Sequence, residues 1–133
     1  MKRAIGRNLA AAARNTSGAT AAEFALVFSV MVTMVFGSIE LGRFMWIRSS
    51  LQTAVEKAAR CSALNSAQCT TFAATKTFAA DAAMGAPVTA SVFDVTDADC
   101  GRVVTASYVF TPITPLVPLD ATMTARSCRA LKP

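Results

Sequence analysis

The chain has 133 residues, 53% hydrophobic and 16% charged, with a formal charge of +5 at pH 7 and no histidine. That length holds one small domain at most, and the missing histidine removes the commonest general base and metal ligand. The positive charge is no nucleic-acid footprint. Lys2, Arg3, Arg7 and Arg14 precede Gly18 with no acid among them, and without these the chain has nine basic against eight acidic residues. The basicity belongs to the first eighteen residues and is a topology signal that keeps the N-terminus in the cytoplasm.

Residues 1–18 read as a basic leader. Ala10 to Ala13 tolerate helix, and Asn15-Thr16-Ser17-Gly18 is expected to break it. From Phe24 to Ile39 no side chain is charged. Ser29, Thr33 and Ser38 are polar, and in a helix each can return its hydroxyl to a carbonyl about one turn earlier. That run gives roughly 24 Å of helix, slightly short of a bilayer core of about 30 Å; adding Ala19 to Ala22 completes a span. The extension encloses Glu23. A carboxylate deep in a bilayer costs on the order of 3 kcal/mol on insertion scales, so it is a functional residue by default.

A secretory signal peptide needs a small-x-small cleavage site soon after the apolar core. Glu40-Leu41-Gly42-Arg43-Phe44-Met45-Trp46 offers none. An uncleaved signal anchor has the same hydropathy and stands as the alternative to a cleaved leader. Trp46, with Arg43 and Arg48, falls where the outer membrane–water boundary is expected, a level at which tryptophan is enriched. Packing within the head is an equal reading of Trp46.

Past Glu40 the spacing of Leu41, Phe44, Leu51, Ala54, Val55, Ala58 and Ala59 predicts an amphipathic continuation of the helix. Glu56 precedes Arg60 by four residues, the favourable order for an ion pair. This helix is expected to end near Cys61 to Asn65. A second runs from about Gln68 to Met84, with Phe72, Thr75 or Lys76, and Phe78 as a partial stripe, stopped by Gly85-Ala86-Pro87. Then the period changes. Val88 to Val95, Val103 to Phe110 and Ala121 to Arg129 read as strands, separated by turn chemistry at 97–101 and a proline-bearing loop at 111–120. The fold class is α+β: a long N-terminal transmembrane helix continuing into an amphipathic stem, a second helix, and a small antiparallel sheet.

Cys61, Cys69, Cys100 and Cys128 all follow the apolar run, which suits an oxidising compartment. A head of roughly 70 residues also needs such staples. Four cysteines allow three pairings. If the last two strands are antiparallel neighbours, Cys100 at the start of one lies beside Cys128 at the end of the other. Cys61 and Cys69, placed at the end of one helix and the opening of the next, then form the second bridge.

No Cys-x-x-Cys, phosphate loop or nucleophile elbow occurs, so neither an enzyme nor a cofactor is expected. Asp94, Asp97 and Asp99 alternate through a turn but lack the glycine and terminal glutamate of a calcium loop, and read as a solvated acidic turn.

Gly18, four small neutral residues, Glu23, Phe24 and a long apolar run behind a basic leader resemble the processing site of a type IV prepilin. The wider string from Gly-Ala-Thr-Ala-Ala-Glu-Phe-Ala-Leu through Gly-Ser-Ile-Glu-Leu-Gly-Arg to Leu51–Arg60 resembles the TadE-like family, minor pseudopilins of the Tad (tight adherence, Flp) pilus system. The likeness is dense over 17–60. It implies a prepilin leader (1–18), a transmembrane and interfacial helix (19–47) and a periplasmic pilin-like head (48–133). It implies scission between Gly18 and Ala19 by a prepilin peptidase, with Glu23 and Phe24 serving peptidase recognition and assembly. Implied partners are other pilin and pseudopilin subunits, an inner-membrane assembly platform and the lipid bilayer, with no nucleic acid. The alternative of another class is an uncleaved, signal-anchored periplasmic binding or sensor module.

Overall fold

The computed structural model describes residues 16–113 and 121–131. Lys2, Arg3, Arg7, Arg14, Pro115 and Pro118 lie outside the described residues. Helix α1 runs Thr16–Ala63 and α2 Phe72–Ala82; strands β1 (Phe93–Ala98), β2 (Gly101–Phe110) and β3 (Ala121–Arg129) follow. The chain is α+β as expected. A boundary between two compact units falls between Ile39 and Glu40, inside the single helix α1.

No proline interrupts Thr16–Ala63, and past Glu40 alanine, leucine and long straight side chains favour helix, while the valines and glycines before it are weaker helix formers. It ends where Asn65 takes a left-handed φ of 49°. Asn65 N–H donates to the Ser62 carbonyl and Ser66 N–H to that of Cys61, both at 3.2 Å. This is a Schellman stop, with asparagine in the position glycine usually fills. The expected break at 15–18 is corrected at its last residues: Thr16, Ser17 and Gly18 are already helical.

Helix α2 starts later than expected. Thr71 caps it, its hydroxyl accepting from Ala74 N–H at 3.1 Å. Cys69 therefore lies in the loop before α2 and does not open it. The buried face is Thr75, Ala79 and Ala83, while Phe72 is exposed at the first position. Lys76 reaches across to Asp94 at 2.9 Å.

The strand expected over Val88 to Val95 is also corrected. Ala90–Val92 is a 3-10 turn, and pairing begins at Phe93. From Phe93 the side chains alternate, Phe93 and Val95 inward, Asp94 and Thr96 outward. Pairing runs through Asp97 and Ala98 to Gly101, so the turn contracts to Asp99 and Cys100. Gly101 has a φ of +114°, and a Cβ there would meet the Arg129 carbonyl. The sheet has the order β1-β2-β3, antiparallel throughout, with Val104 facing Val95 on one side and Ser127 on the other. Its inner face (Phe93, Val95, Val104, Ala106, Phe110, Met123, Ala125) joins Ile47, Leu51, Ala54, Val55, Ala58 and Ala59 of the stem and Ala79 and Ala83 of α2 in one core. Small alanines on the stem let the layers approach. Leu41, expected on this stripe, is 56% exposed, and Ile47, absent from it, is fully buried.

Candidate functional site

The chemistry singled out in the sequence begins at the N-terminal end of α1. Gly18 and Ala19 lie in its first turns and are exposed. Glu23 is exposed and meets no hydrogen-bond or ionic partner among the described residues. Phe24 is exposed and stacks on Phe28 with ring centroids 5.6 Å apart.

From Phe24 to Ile39 the large apolar side chains stand bare, among them Phe24, Leu26, Val27, Val30, Met34 and Ile39. A core helix would bury them. The three hydroxyls in the run are turned inward: Ser29 donates to the Leu26 carbonyl, Thr33 to Ser29 and Ser38 to Met34, each at 2.8 Å. Each polar side chain in this stretch has thus been satisfied without solvent, which an apolar medium requires. By length and composition α1 can cross a membrane.

The cysteines form two bridges. Cys61 pairs with Cys69 at a Cα separation of 5.8 Å, and Cys100 with Cys128 at 6.3 Å. Cys100 lies in the β1–β2 turn and Cys128 opposite Val103 on β3, so this bridge ties the hairpin to the edge strand. The first bridge closes the loop between the helices.

Two polar residues carry more than the sequence suggested. Glu40 is 7% exposed. Its Oε2 accepts from Arg43 Nη1 at 3.1 Å and its Oε1 from the Ile113 backbone N–H at 2.7 Å. Arg102 donates to Asp97 at 2.6 Å and to Ser62 at 2.8 Å, and lies over the Phe72 ring at 4.6 Å. The one available signal for Glu40 was an acid directly following an uncharged run. The expected Glu56–Arg60 pair is replaced: Glu56 accepts from Gln52 at 2.8 Å, one turn earlier. Trp46 is 46% exposed, which fits the boundary reading better than core packing.

Asp94 and Asp97 are taken up by Lys76 and Arg102 respectively. The hydrogen bond from Lys76, then its charge, then the Val95 N–H hold the Asp94 carboxyl below the usual carboxylate range. Among the described residues no group of three or more His, Cys, Asp or Glu is arranged to hold a metal ion.

A bare apolar helix start, an exposed lone glutamate and a basic stretch ahead of it invite comparison with known families. Residues 18–60 match the family model described as TadE-like protein. This segment is similar to the TadE-like family. The match ends close to the stem's C-terminus and leaves out α2 and the sheet. The TadE-like family is a pilus-associated structural family and not an enzyme family. No curated protein and no solved structure matches the chain.

Proposed function

We propose that the chain is a minor pseudopilin that takes part in the assembly or initiation of a Tad pilus. It is held in the inner membrane by the helix at 19–47 with its N-terminus cytoplasmic and residues 48–133 as a periplasmic head. The observation that carries this reading is the bare, hydroxyl-satisfied run from Phe24 to Ile39 with Glu23 lone at its mouth, inside a TadE-like segment.

Processing between Gly18 and Ala19 by a prepilin peptidase follows from the same segment. Gly18 is helical and lies near the start of the described helix. Glycine lowers the cost of unwinding there and leaves the backbone open to a peptidase. Scission frees an α-amine on Ala19, largely cationic near neutral pH. The Glu23 carboxylate of a neighbouring subunit pairs with that amine, and pairing offsets part of the desolvation cost that each charge meets in lipid. The helix then docks among other pilin and pseudopilin subunits at the assembly platform.

Intact-mass measurement and N-terminal sequencing of the protein from cells with and without the peptidase test this. The mature chain is expected to begin at Ala19, and Gly18→Val to leave the precursor uncut. A mature chain beginning elsewhere removes the pseudopilin reading. A full-length chain in both strains supports the uncleaved, signal-anchored module instead.

A further inference from the structure

Glu40 is the first residue after the uncharged run, and its partners lie far along the sequence. Its carboxylate takes the backbone N–H of Ile113 and the guanidinium of Arg43. Arg43 in turn donates to the Thr111 carbonyl at 3.4 Å and sits 5.0 Å over the Phe110 ring. Phe44 meets the same ring edge-on at 5.5 Å. The end of β2 and the residues after it are therefore fastened to the first turn of the stem.

The side chain presented by this clamp is bare. Ile113 is 75% exposed although its own amide is held by a buried carboxylate. Folding has ordered the backbone at this point without covering the isoleucine. In water that arrangement gains nothing. In the headgroup zone of a bilayer it removes the main obstacle to insertion, an unsatisfied backbone N–H, because Glu40 already accepts it. The carboxylate is itself neutralised by Arg43, so no lone charge accompanies the apolar side chain. Exposed Leu41, Met45 and Trp46 occupy the same turns of the stem, and tryptophan favours that depth.

We propose that Ile113 is a second membrane contact of the head, inserted into the headgroup zone of the bilayer that the apolar run crosses and positioned there by Glu40. The occupant is lipid because the clamp begins one residue after Ile39, where the apolar run ends. This rests on the reading of that run as a membrane span.

The test uses the full chain in phospholipid vesicles containing lipids brominated at chosen depths, in a Trp46→Phe background. Phe28→Trp reports on the span and Ile113→Trp on the head. Strong quenching of Phe28→Trp by deep bromines and of Ile113→Trp by shallow ones is expected. Adding Glu40→Ala should abolish the shallow quenching while both disulfides still form. Quenching of Phe28→Trp with none of Ile113→Trp at any depth overturns the inference and leaves the span intact. Absence of quenching at Phe28→Trp removes the span, and the inference with it. Unchanged shallow quenching in the Glu40→Ala chain overturns the positioning role of Glu40.

Discussion

The guanidinium of Arg102 donates to the hydroxyl of Ser62 at 2.8 Å, joining the second strand of the sheet to the last turn of the long helix. Ser62 is fully buried, and the same guanidinium holds Asp97 and covers Phe72. One side chain thus ties together the ends of both helices and the β1–β2 hairpin. Arg102→Met keeps most of the side chain's aliphatic volume but strands the Ser62 hydroxyl without its donor. The expected loss is about 1–3 kcal/mol, the cost of a buried polar group left unsatisfied. Thermal unfolding of the full chain in micelles reads it; adding Ser62→Ala should restore part of the loss, and no recovery would show that the Ser62 contact is not the cause.

The Cys100–Cys128 bridge spans 28 residues of sequence. In the chain-entropy model, removing it through the paired change Cys100→Ser and Cys128→Ser costs roughly 3–4 kcal/mol. The shorter Cys61–Cys69 bridge, spanning 8, should cost less, roughly 2–3 kcal/mol. Denaturant unfolding of the two paired variants compares them. Equal losses, or a larger one for Cys61–Cys69, would contradict the ranking.

Gly101 follows the hairpin turn with a φ of +114°, and an added Cβ runs into the Arg129 carbonyl. Gly101→Ala is therefore strained twice, by its own backbone and by the neighbouring strand. A cost of about 1–3 kcal/mol is expected. An unchanged melting temperature would mean that the end of β3 does not lie against Gly101.

Lys76 holds the Asp94 carboxyl below its ordinary range. A carboxylate with a lowered folded-state pKa adds stability that is present above the unfolded value, near pH 4, and is lost as pH falls through the folded value. As pH falls from about 4 through the folded value, the wild-type chain should lose stability more steeply than Asp94→Asn or Lys76→Met. Since Asp94 is exposed, the difference should be small and should shrink with added salt. Parallel acid titrations for all three chains would sink the idea.

Glu23→Gln keeps the size of the side chain and removes its charge. The variant should insert and be processed at Gly18 like the parent, and fail to support piliation. Pili at normal number, with normal amounts of the protein, would eliminate the pairing with a neighbour's α-amine.

Much of this molecule is legible in one dimension. The uncharged run from Phe24 to Ile39, the proline-free helix through Ala63, the end of β2 and both bounds of β3 follow from local composition and period, because helix and strand preferences act over a few neighbouring residues. The disulfide pairing could be reasoned out once β2 and β3 were taken as neighbours, since adjacent antiparallel strands bring the start of one beside the end of the other. Three features were decided elsewhere. The second helix begins at Phe72 because the Thr71 side chain caps it there, a choice among several nearby hydroxyls that the periodic pattern does not rank. Glu56 accepts from Gln52 and not from Arg60, because exposed side chains choose among near-equal partners one turn away in either direction. The Ile113 amide that Glu40 holds and the Ser62 hydroxyl that Arg102 reaches lie 73 and 40 residues away in the chain. Only the closing of the sheet onto the stem brings those groups within reach, and no local pattern encodes a distance that the chain does not yet have.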